Sequence, residues 1–375
     1  MVRAERGDSG SLCDECHFGG EWTAMTAATA RASGASPRSD RLELSAASIR
    51  QRLPGAFVPR PALYWCDVLA SALLGWSALA VAVAQGGWTA LLAQAVATLA
   101  LYRAVLFIHE LTHLRAGAVP GLEPAWNLLV GAPLQVPSLM YVGSHGAHHR
   151  RSTYGTDQDP EYAPIAHWSR LRIITSTLVM GIVPLLLVIR WGLLGPLSRL
   201  LPPLRPLVVR SMSTLVINVA YQRPPPGERE RWRWDLGEAL AGGLCWLAAL
   251  ALARGWLPLG ALGHWYALAA GILVLNHFRT LAAHRYESLG ERLDVAGQLV
   301  DSVNIPGIPG ITVLVAPVGL RYHGLHHWLP SLPYHSMGRV HRALRAELPS
   351  DSPYHRIESG SITHALRELL SRAGA

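Results

Sequence analysis

The sequence predicts an all-α integral membrane protein, in which four transmembrane helices form two hairpins beneath a cytoplasmic helical cap. Half of the 375 residues are hydrophobic and only 15% are charged, a balance typical of membrane proteins rather than soluble domains. Four apolar runs have roughly the twenty residues that a helix needs to cross a bilayer. Three groups of closely spaced histidines lie at or just beyond the ends of apolar segments.

The charge distribution supports a membrane protein and argues against a nucleic-acid partner. The net charge of +8 comes from arginine alone, because the sequence contains no lysine. The arginines lie mostly in loops beside apolar runs, which is the pattern that fixes membrane topology with the positive loops in the cytoplasm.

The first 60 residues are rich in Ser, Ala, Arg and Gly and have no sustained period. They predict a mobile cytoplasmic N-terminal tail. Within this tail, the stretch from Cys13 through Cys16 to His17 matches the form of a haem c attachment site. The cytosol is not where such attachment is expected, and an alternative is that translation begins at Met25.

The first hairpin is predicted from Leu63–Ala84 and Trp88–Ile108, joined by Gln85-Gly86-Gly87. So short a link returns the chain to the side that it left and delivers His109 at the inner end of the second run. Arg103 lies within that run and is expected to snorkel to the near interface. Contact with a substrate headgroup is the alternative role for this arginine.

The next apolar segment, 125–141, is too short to cross comfortably and is interrupted by Pro133 and Pro137. Because the histidine groups on both sides of it have to reach one site, we expect the segment to dip into the membrane and return, or to lie along the interface.

The segment 173–189 is only marginally long enough to span, and arginines are dense between 190 and 235. This charge predicts that 190–235 stays cytoplasmic and that 173–189 is an in-plane or partly inserted helix. The alternative is an extra hairpin with 173–189 outward and 207–221 back, although Arg210 interrupts the return.

The second hairpin is predicted from Leu236–Trp256 and Ala261–Leu281. An even number of crossings places both termini and all histidine groups in the cytoplasm. Residues 337–372 have helical spacing and are expected to form cytoplasmic helices. The predicted organisation is therefore a tail over 1–60, a membrane domain over 61–345 and a C-terminal helix or tail over 346–375.

The histidine groups predict a metal centre with more than one ion. Spacings of three and four residues place several imidazoles on one face of a helix. The histidines are His109 and His113, then His145, His148 and His149, then His323, His326 and His327, with His284 as a possible ninth. One zinc ion uses about four ligands, so two ions fit the number better. Imidazole suits zinc, copper, iron or nickel, and ligand type alone does not choose among them.

The motifs HELTH, HGAHH and HGLHH in this architecture resemble those of the membrane fatty acid desaturase superfamily, whose members hold a histidine-rich di-iron centre. Two further stretches resemble the same family. They are HHWLPSLPYHSMGRVHRAL, which begins with His326 and His327, and the acidic stretch DQDPEY. The likeness covers roughly residues 62–345 and is most specific at the three histidine groups.

The resemblance implies that the eight histidines of the three groups are iron ligands. His284 resembles an additional ligand that some members place four residues after an asparagine. Thr280 occupies the position of that asparagine here, and Asn276 lies one turn earlier. No catalytic residue beyond the metal ligands is implied.

The implied function is O2-dependent introduction of a double bond into a fatty acyl chain, with two iron ions as cofactor and O2 as cosubstrate. The alternative within the superfamily is a hydroxylase or ketolase that acts on a lipid, an alkane or a carotenoid. No flavin or nicotinamide fingerprint is present, so a separate electron donor, such as a ferredoxin or a cytochrome b5-like protein, is expected. An arginine-rich cytoplasmic face suits an acidic donor.

Three acidic residues are expected to hold ligand imidazoles in the correct tautomer: Glu110, Asp159 and Glu161. A solvated surface position is the alternative for each. The remaining histidines of the membrane domain and C-terminal tail are expected to be structural or exposed, with His277 and His341 the nearest to a supporting role: His167, His264, His277, His335, His341, His355 and His364.

The stretch from His109 to His113 is also a literal H-E-x-x-H, which is the signature of zinc peptidases with Glu as general base. A membrane-embedded peptidase is the rival from another enzyme class. It needs two histidines and one further ligand, and it leaves most of the other histidines without a role.

Overall fold

A computed structural model describes residues 46–374, and this part of the chain is helical with only isolated β-bridges. The α-helices in chain order are α1 (Pro61–Ala84), α2 (Gly87–Val105), α3 (Phe107–His113), α4 (Leu122–Trp126), α5 (Ser144–His148), α6 (Arg170–Ile189), α7 (Gly195–Leu200), α8 (Arg205–Met212), α9 (Glu228–Ala253), α10 (Leu259–Leu281), α11 (Val295–Asp301), α12 (Pro309–Val315), α13 (His323–Trp328), α14 (Tyr334–Glu347) and α15 (Ile362–Arg372). π-helical turns occupy Asn127–Gly131 and Arg190–Leu194. Short 3-10 helices occupy Pro54–Phe57, Ser138–Met140, Ile165–His167, Pro202–Leu204 and Pro353–Arg356.

The first predicted hairpin is present as α1 packed against α2. Helices α9 and α10 follow each other after a short turn, but α10 packs mainly against α6 and α2, and α9 packs against the π-helical turn Arg190–Leu194. Pro61 occupies the first turn of α1, where its fixed φ suits a helix start and its missing N–H costs nothing. Gly87 has a φ of 60°, which lets the chain reverse within the short link between α1 and α2. We call the end of these helices at which α2 leads into His109 and α10 leads into His284 the box side.

Five helices are long and apolar enough to cross a membrane, namely Pro61–Ala84, Gly87–His113, Arg170–Leu200, Glu228–Ala253 and Leu259–Leu281. The chain is therefore a multi-pass membrane protein, but the predicted number of four spans is not confirmed. The additional candidate is the continuous helix 170–200, formed by α6, the π-helical turn and α7. The full length of this helix was not predicted, because Arg190 and Arg199 interrupt the apolar pattern of the sequence.

Both ends of the helix 170–200 contact elements on the box side. At its start, Arg170 donates through Nε to the backbone oxygen of Leu370 at 3.1 Å, and Leu370 lies on α15, which packs at the box-side end of α10. At its end, the Arg199 guanidinium lies 2.6 Å from the Asp235 carboxylate, near the box-side start of α9. Pro184 lies inside the helix, and proline together with a π-turn is a common cause of bending. These contacts favour the predicted partly inserted helix.

The alternative of an extra hairpin requires a returning helix over 207–221, and the structure has no such helix there. Helix α8 is only eight residues long and ends at Met212. Residues 213–227 contain no helix.

Glu238 holds the end of the helix 170–200 against α9. Its carboxylate lies 2.6 Å from Arg190 and 2.8 Å from both Arg199 and Arg205. Glu238 and Arg190 are 6% and 2% exposed. One buried carboxylate thus contacts three of the arginines that the sequence places in a basic stretch.

The segment 122–140, which contains most of the apolar stretch 125–141, packs among the candidate spans. Its backbone leaves regular helical geometry after Gly131, and Gln135 has a φ of 62°. Irregular backbone at membrane depth is tolerated only where protein groups satisfy its polar atoms. Three indole N–H groups from three helices donate to its carbonyl oxygens: Trp76 to Leu129 at 2.8 Å, Trp265 to Pro133 at 2.9 Å and Trp191 to Gln135 at 2.9 Å.

The helices after α10 form a cap on the box side. Residues 46–52 are helical, and Ile49 packs with α13 and α14 in one apolar cluster. The predicted mobile tail is therefore wrong for 46–57, while Cys13 and Cys16 lie outside the described residues. The helices expected within 337–372 are present as α14 and α15.

Candidate metal centre

The three histidine groups converge because each is carried on a short helix held by a longer element. Helix α3 continues the line of α2, so His109 and His113 project from the end of a candidate span. The second group lies on and just after α5, the third on α13, and His284 follows α10 by three residues.

The nine predicted histidines, and none besides, form two potential metal-binding groups in the described part of the chain. Within each group, one nitrogen from every ring lies within 4.8 Å of the others. The first group is His109, His113, His145, His149 and His326, and the second is His148, His284, His323 and His327. The first group draws on all three motifs, and the second joins two motifs to His284.

Several ring nitrogens face one another directly. The Nε2-to-Nε2 distances are 3.0 Å for His145 and His149, 3.0 Å for His149 and His326, 2.8 Å for His284 and His323, and 3.1 Å for His323 and His327. Neutral imidazoles at such distances share a proton or direct their lone pairs at a common cation.

Other ring nitrogens in the same place are buried and have no hydrogen-bond partner. These atoms are both nitrogens of His109, Nε2 of His113, and Nδ1 of His323 and His326. Buried polar atoms without a partner are rare in native proteins. Together with the two groups of four and five donors, they fit two metal ions held by imidazole.

Burial keeps most of these rings neutral, which metal binding requires. Burial first, and then repulsion from neighbouring imidazoles, lowers the pKa of His145, His149, His326 and His327 well below the usual value. His148 differs: burial opposes its charged form, but the Asp159 carboxylate raises its pKa.

Asp159 and Glu161 lie where the sequence predicted, each against a histidine of the second motif. Both oxygens of Asp159 are 2.9 Å from Nδ1 of His148, and Glu161 is 2.8 Å from Nδ1 of His145. A carboxylate at Nδ1 favours the tautomer that carries the proton there, which leaves Nε2 free for a metal.

The expectation for Glu110 is wrong. Its carboxylate accepts hydrogen bonds from the Tyr64 hydroxyl at 2.5 Å and from the backbone N–H of Tyr334 at 3.3 Å, and neither partner is an imidazole. The residue after His109 on a helix points about 100° away from it. Glu110 therefore connects α3 to α1 and α14 instead of orienting a ring.

Within residues 46–374, neither Asn276 nor Thr280 forms a hydrogen bond with a histidine through its side chain. Asn276 Oδ1 and Thr280 Oγ1 accept from Nη2 of Arg279 at 3.0 and 2.8 Å. Thr280, which stands where some family members have an asparagine, thus accepts a hydrogen bond from a buried arginine.

Sequence reasoning missed Asp301 and Tyr154, which orient His284. The Tyr154 hydroxyl is 2.9 Å from Nδ1 of His284 and donates to Asp301 at 2.8 Å. Asp301 is itself 3.3 Å from the same Nδ1. The only sequence feature that could have indicated a role for Asp301 is its position as an acidic residue at the end of an otherwise apolar helix.

His277 and His341 lie outside both groups. His277 contacts Ser176 at 3.0 Å, and His341 contacts the Tyr354 hydroxyl at 2.8 Å. These contacts support structural roles for both.

We expect Asp159→Asn to weaken metal retention by about 10- to 100-fold, because the amide stabilises the Nδ1 proton of His148 less well than the carboxylate does. The measurement is the chelator concentration that removes half of the bound metal from purified protein. Asp157→Asn is the matched control, since Asp157 is exposed and should retain metal as wild type does. Equal retention in both variants would show that Asp159 does not orient His148.

A family model described as fatty acid desaturase matches residues 86–358, which include all nine histidines. A ceramide hydroxylase from Caulobacter vibrioides is 38% identical over 317 residues, covering 84% of this chain and 90% of the relative. No solved structure matches the chain.

Proposed function

The chain belongs to the fatty acid desaturase family, and from that premise we propose that it hydroxylates a ceramide-type sphingolipid at one unactivated carbon. The family and the relative make the protein an oxidoreductase. The observation that carries the choice of hydroxylation is the ceramide hydroxylase, which is 38% identical over 84% of the chain. It favours the hydroxylase alternative over the double-bond formation expected from the motifs.

We assign the two histidine groups to two iron ions, five ligands to one and four to the other. The structure supports this assignment through the facing and unpartnered nitrogens of buried rings. When bound, the iron pair would supply the reduction of O2 and the oxidising power that an unactivated C–H bond requires.

The chain itself keeps the ligands in place. Asp159, Glu161 and Asp301 accept at Nδ1 of three different rings, so the Nε2 atoms of these rings face inward. Asp159 is fully buried and Asp301 is 6% exposed, which keeps bulk water from competing for these hydrogen bonds. An enclosed site of this kind protects the reaction from side reactions with solvent.

The proposed reaction balances with an external reductant. One oxygen atom of O2 enters the C–H bond to give C–OH, the other leaves as water, and two electrons and two protons are consumed. We assign the electrons to a separate acidic donor of the ferredoxin or cytochrome b5 kind. Arg199, Arg205, Arg210 and Arg231 line a cavity of about 400 Å³ near the box-side start of α9, and this basic surface suits such a donor.

The geometry disfavours the zinc peptidase. A peptidase Glu has to face a metal-bound water, whereas Glu110 accepts from Tyr64 and Tyr334. His109 and His113 also share their group with three more histidines.

We expect the protein, purified with its metal and supplied with ceramide, O2 and a reduced donor, to add one oxygen atom to ceramide. Mass spectrometry of the lipid and metal analysis of the protein are the measurements, with two irons expected per chain. Loss of two hydrogens would show a desaturase, one zinc per chain with peptide cleavage would show the peptidase, and either result would overturn the proposal.

A further inference from the structure

Arg279 is a buried guanidinium with unused hydrogen-bonding capacity. It lies in the last turn of α10 and is 9% exposed. Its Nη2 donates to Asn276 and Thr280, both neutral acceptors, whereas its Nε has no partner. Within residues 46–374, no carboxylate forms an ion pair with it.

The guanidinium lies beside the histidine groups. Arg279 lies in the last turn of α10, five residues before His284. The Tyr286 hydroxyl donates to the backbone oxygen of Thr280, the next residue, at 2.9 Å. The Tyr102 hydroxyl on α2 is within hydrogen-bonding reach of the guanidinium and donates to the backbone oxygen of Val315 at 2.8 Å. Arg279 therefore lies between the candidate spans and the proposed metal ligands.

An unpaired guanidinium in this place is unfavourable. A buried donor without a hydrogen-bond partner destabilises the folded chain unless another group satisfies it. Arg190 shows how the same chain treats another buried arginine, since Glu238 lies 2.6 Å from it. Arg279 has no carboxylate at ion-pair distance within the described residues, and its unpartnered Nε–H is free to bind an electron-rich group from outside the chain.

We propose that Arg279 binds the polar end of the lipid substrate, through the carbonyl or hydroxyl oxygens beside its amide. The inference rests on the proposed function and adds how the substrate is held. Arginine offers five donors in a planar fork, and two of its contacts are already used to fix its orientation. A lipid held in this way places carbons close to its amide at the metal centre, so oxidation falls near the polar end and not in the middle of a chain.

The test compares Arg279→Gln and Arg279→Lys with Arg172→Gln, an exposed arginine at the start of α6. We expect Arg279→Gln to raise KM for ceramide about 10- to 100-fold, as loss of a charge-assisted hydrogen bond does, with kcat changed much less. Arg279→Lys should recover part of the affinity, and Arg172→Gln should match wild type. On an acyl chain without the amide head, wild type and Arg279→Gln should have equal KM.

A binding measurement separates this inference from the reaction itself. Ceramide added to the metal-loaded protein in detergent should raise the unfolding temperature of wild type and of Arg172→Gln, but much less that of Arg279→Gln. If wild type binds ceramide through Arg279 and forms no hydroxylated product, the proposed reaction fails and the binding subsite stands. Unchanged KM, product position and ceramide stabilisation in an Arg279→Gln protein with normal iron content would overturn the subsite. A fall in kcat alone would also overturn it.

Discussion

The variant His326→Ala is expected to form no detectable product while remaining in the membrane at normal abundance. His326 is 1% exposed, and its Nε2 lies 3.0 Å from Nε2 of His149 within the five-histidine group. Removing it leaves that group with one ligand fewer and opens a small cavity. Since two ions would act together on O2, an altered ligand set at one ion should abolish the reaction even though the other group is intact.

Product analysis and iron content are the measurements for this variant. We expect the second group of four histidines to keep its iron, because it does not include His326, and the first group to hold its iron more weakly. His364→Ala is the control, since this histidine lies on α15 with its side chain 59% exposed and should not change turnover. Wild-type turnover in His326→Ala would rule out the assigned centre.

The variant Glu238→Gln is expected to cause the largest loss of stability. Glutamine keeps the size of the side chain but removes the charge that faces Arg190, Arg199 and Arg205. Breaking a buried ion pair from one side typically costs about 3–5 kcal/mol, because the remaining charge stays buried and unpaired. The end of the helix 170–200 would then separate from α9.

Thermal unfolding in detergent measures this loss, with Asp235→Asn as the matched control. Asp235 pairs with Arg199 at the surface, where the two side chains are 44% and 45% exposed, so its loss should cost about 1 kcal/mol or less. Equal unfolding temperatures for the two variants would show that the arginine cluster does not depend on Glu238.

The sequence predicted the elements that depend on local pattern. Four of the candidate spans follow from apolar runs of membrane length, and the eight motif histidines follow from spacing on a helix face. His284 required the family resemblance, because it lies alone after α10. The structure brings all nine into two groups, and no further histidine of residues 46–374 joins them.

The sequence failed where a contact depends on chain segments far apart. Asp301 reaches His284 only because α11 folds back beside the end of α10. Glu110 was assigned by its place inside a motif, but helix geometry turns it toward Tyr64. The length of the helix 170–200 was hidden because Glu238, on a different helix, neutralises the arginine that interrupts it.

The indole bonds to the segment 122–140 have a consequence for handling the protein. This segment connects His113 to His145 along the chain. Three of its carbonyl oxygens accept hydrogen bonds from the indole N–H groups of Trp76, Trp191 and Trp265, which lie on three different helices. The distance between two metal-binding motifs is thus set partly by tryptophans on three of the candidate spans. Bilayers or micelles of mismatched thickness tilt such helices. In these environments the protein should therefore lose iron before the cap itself unfolds.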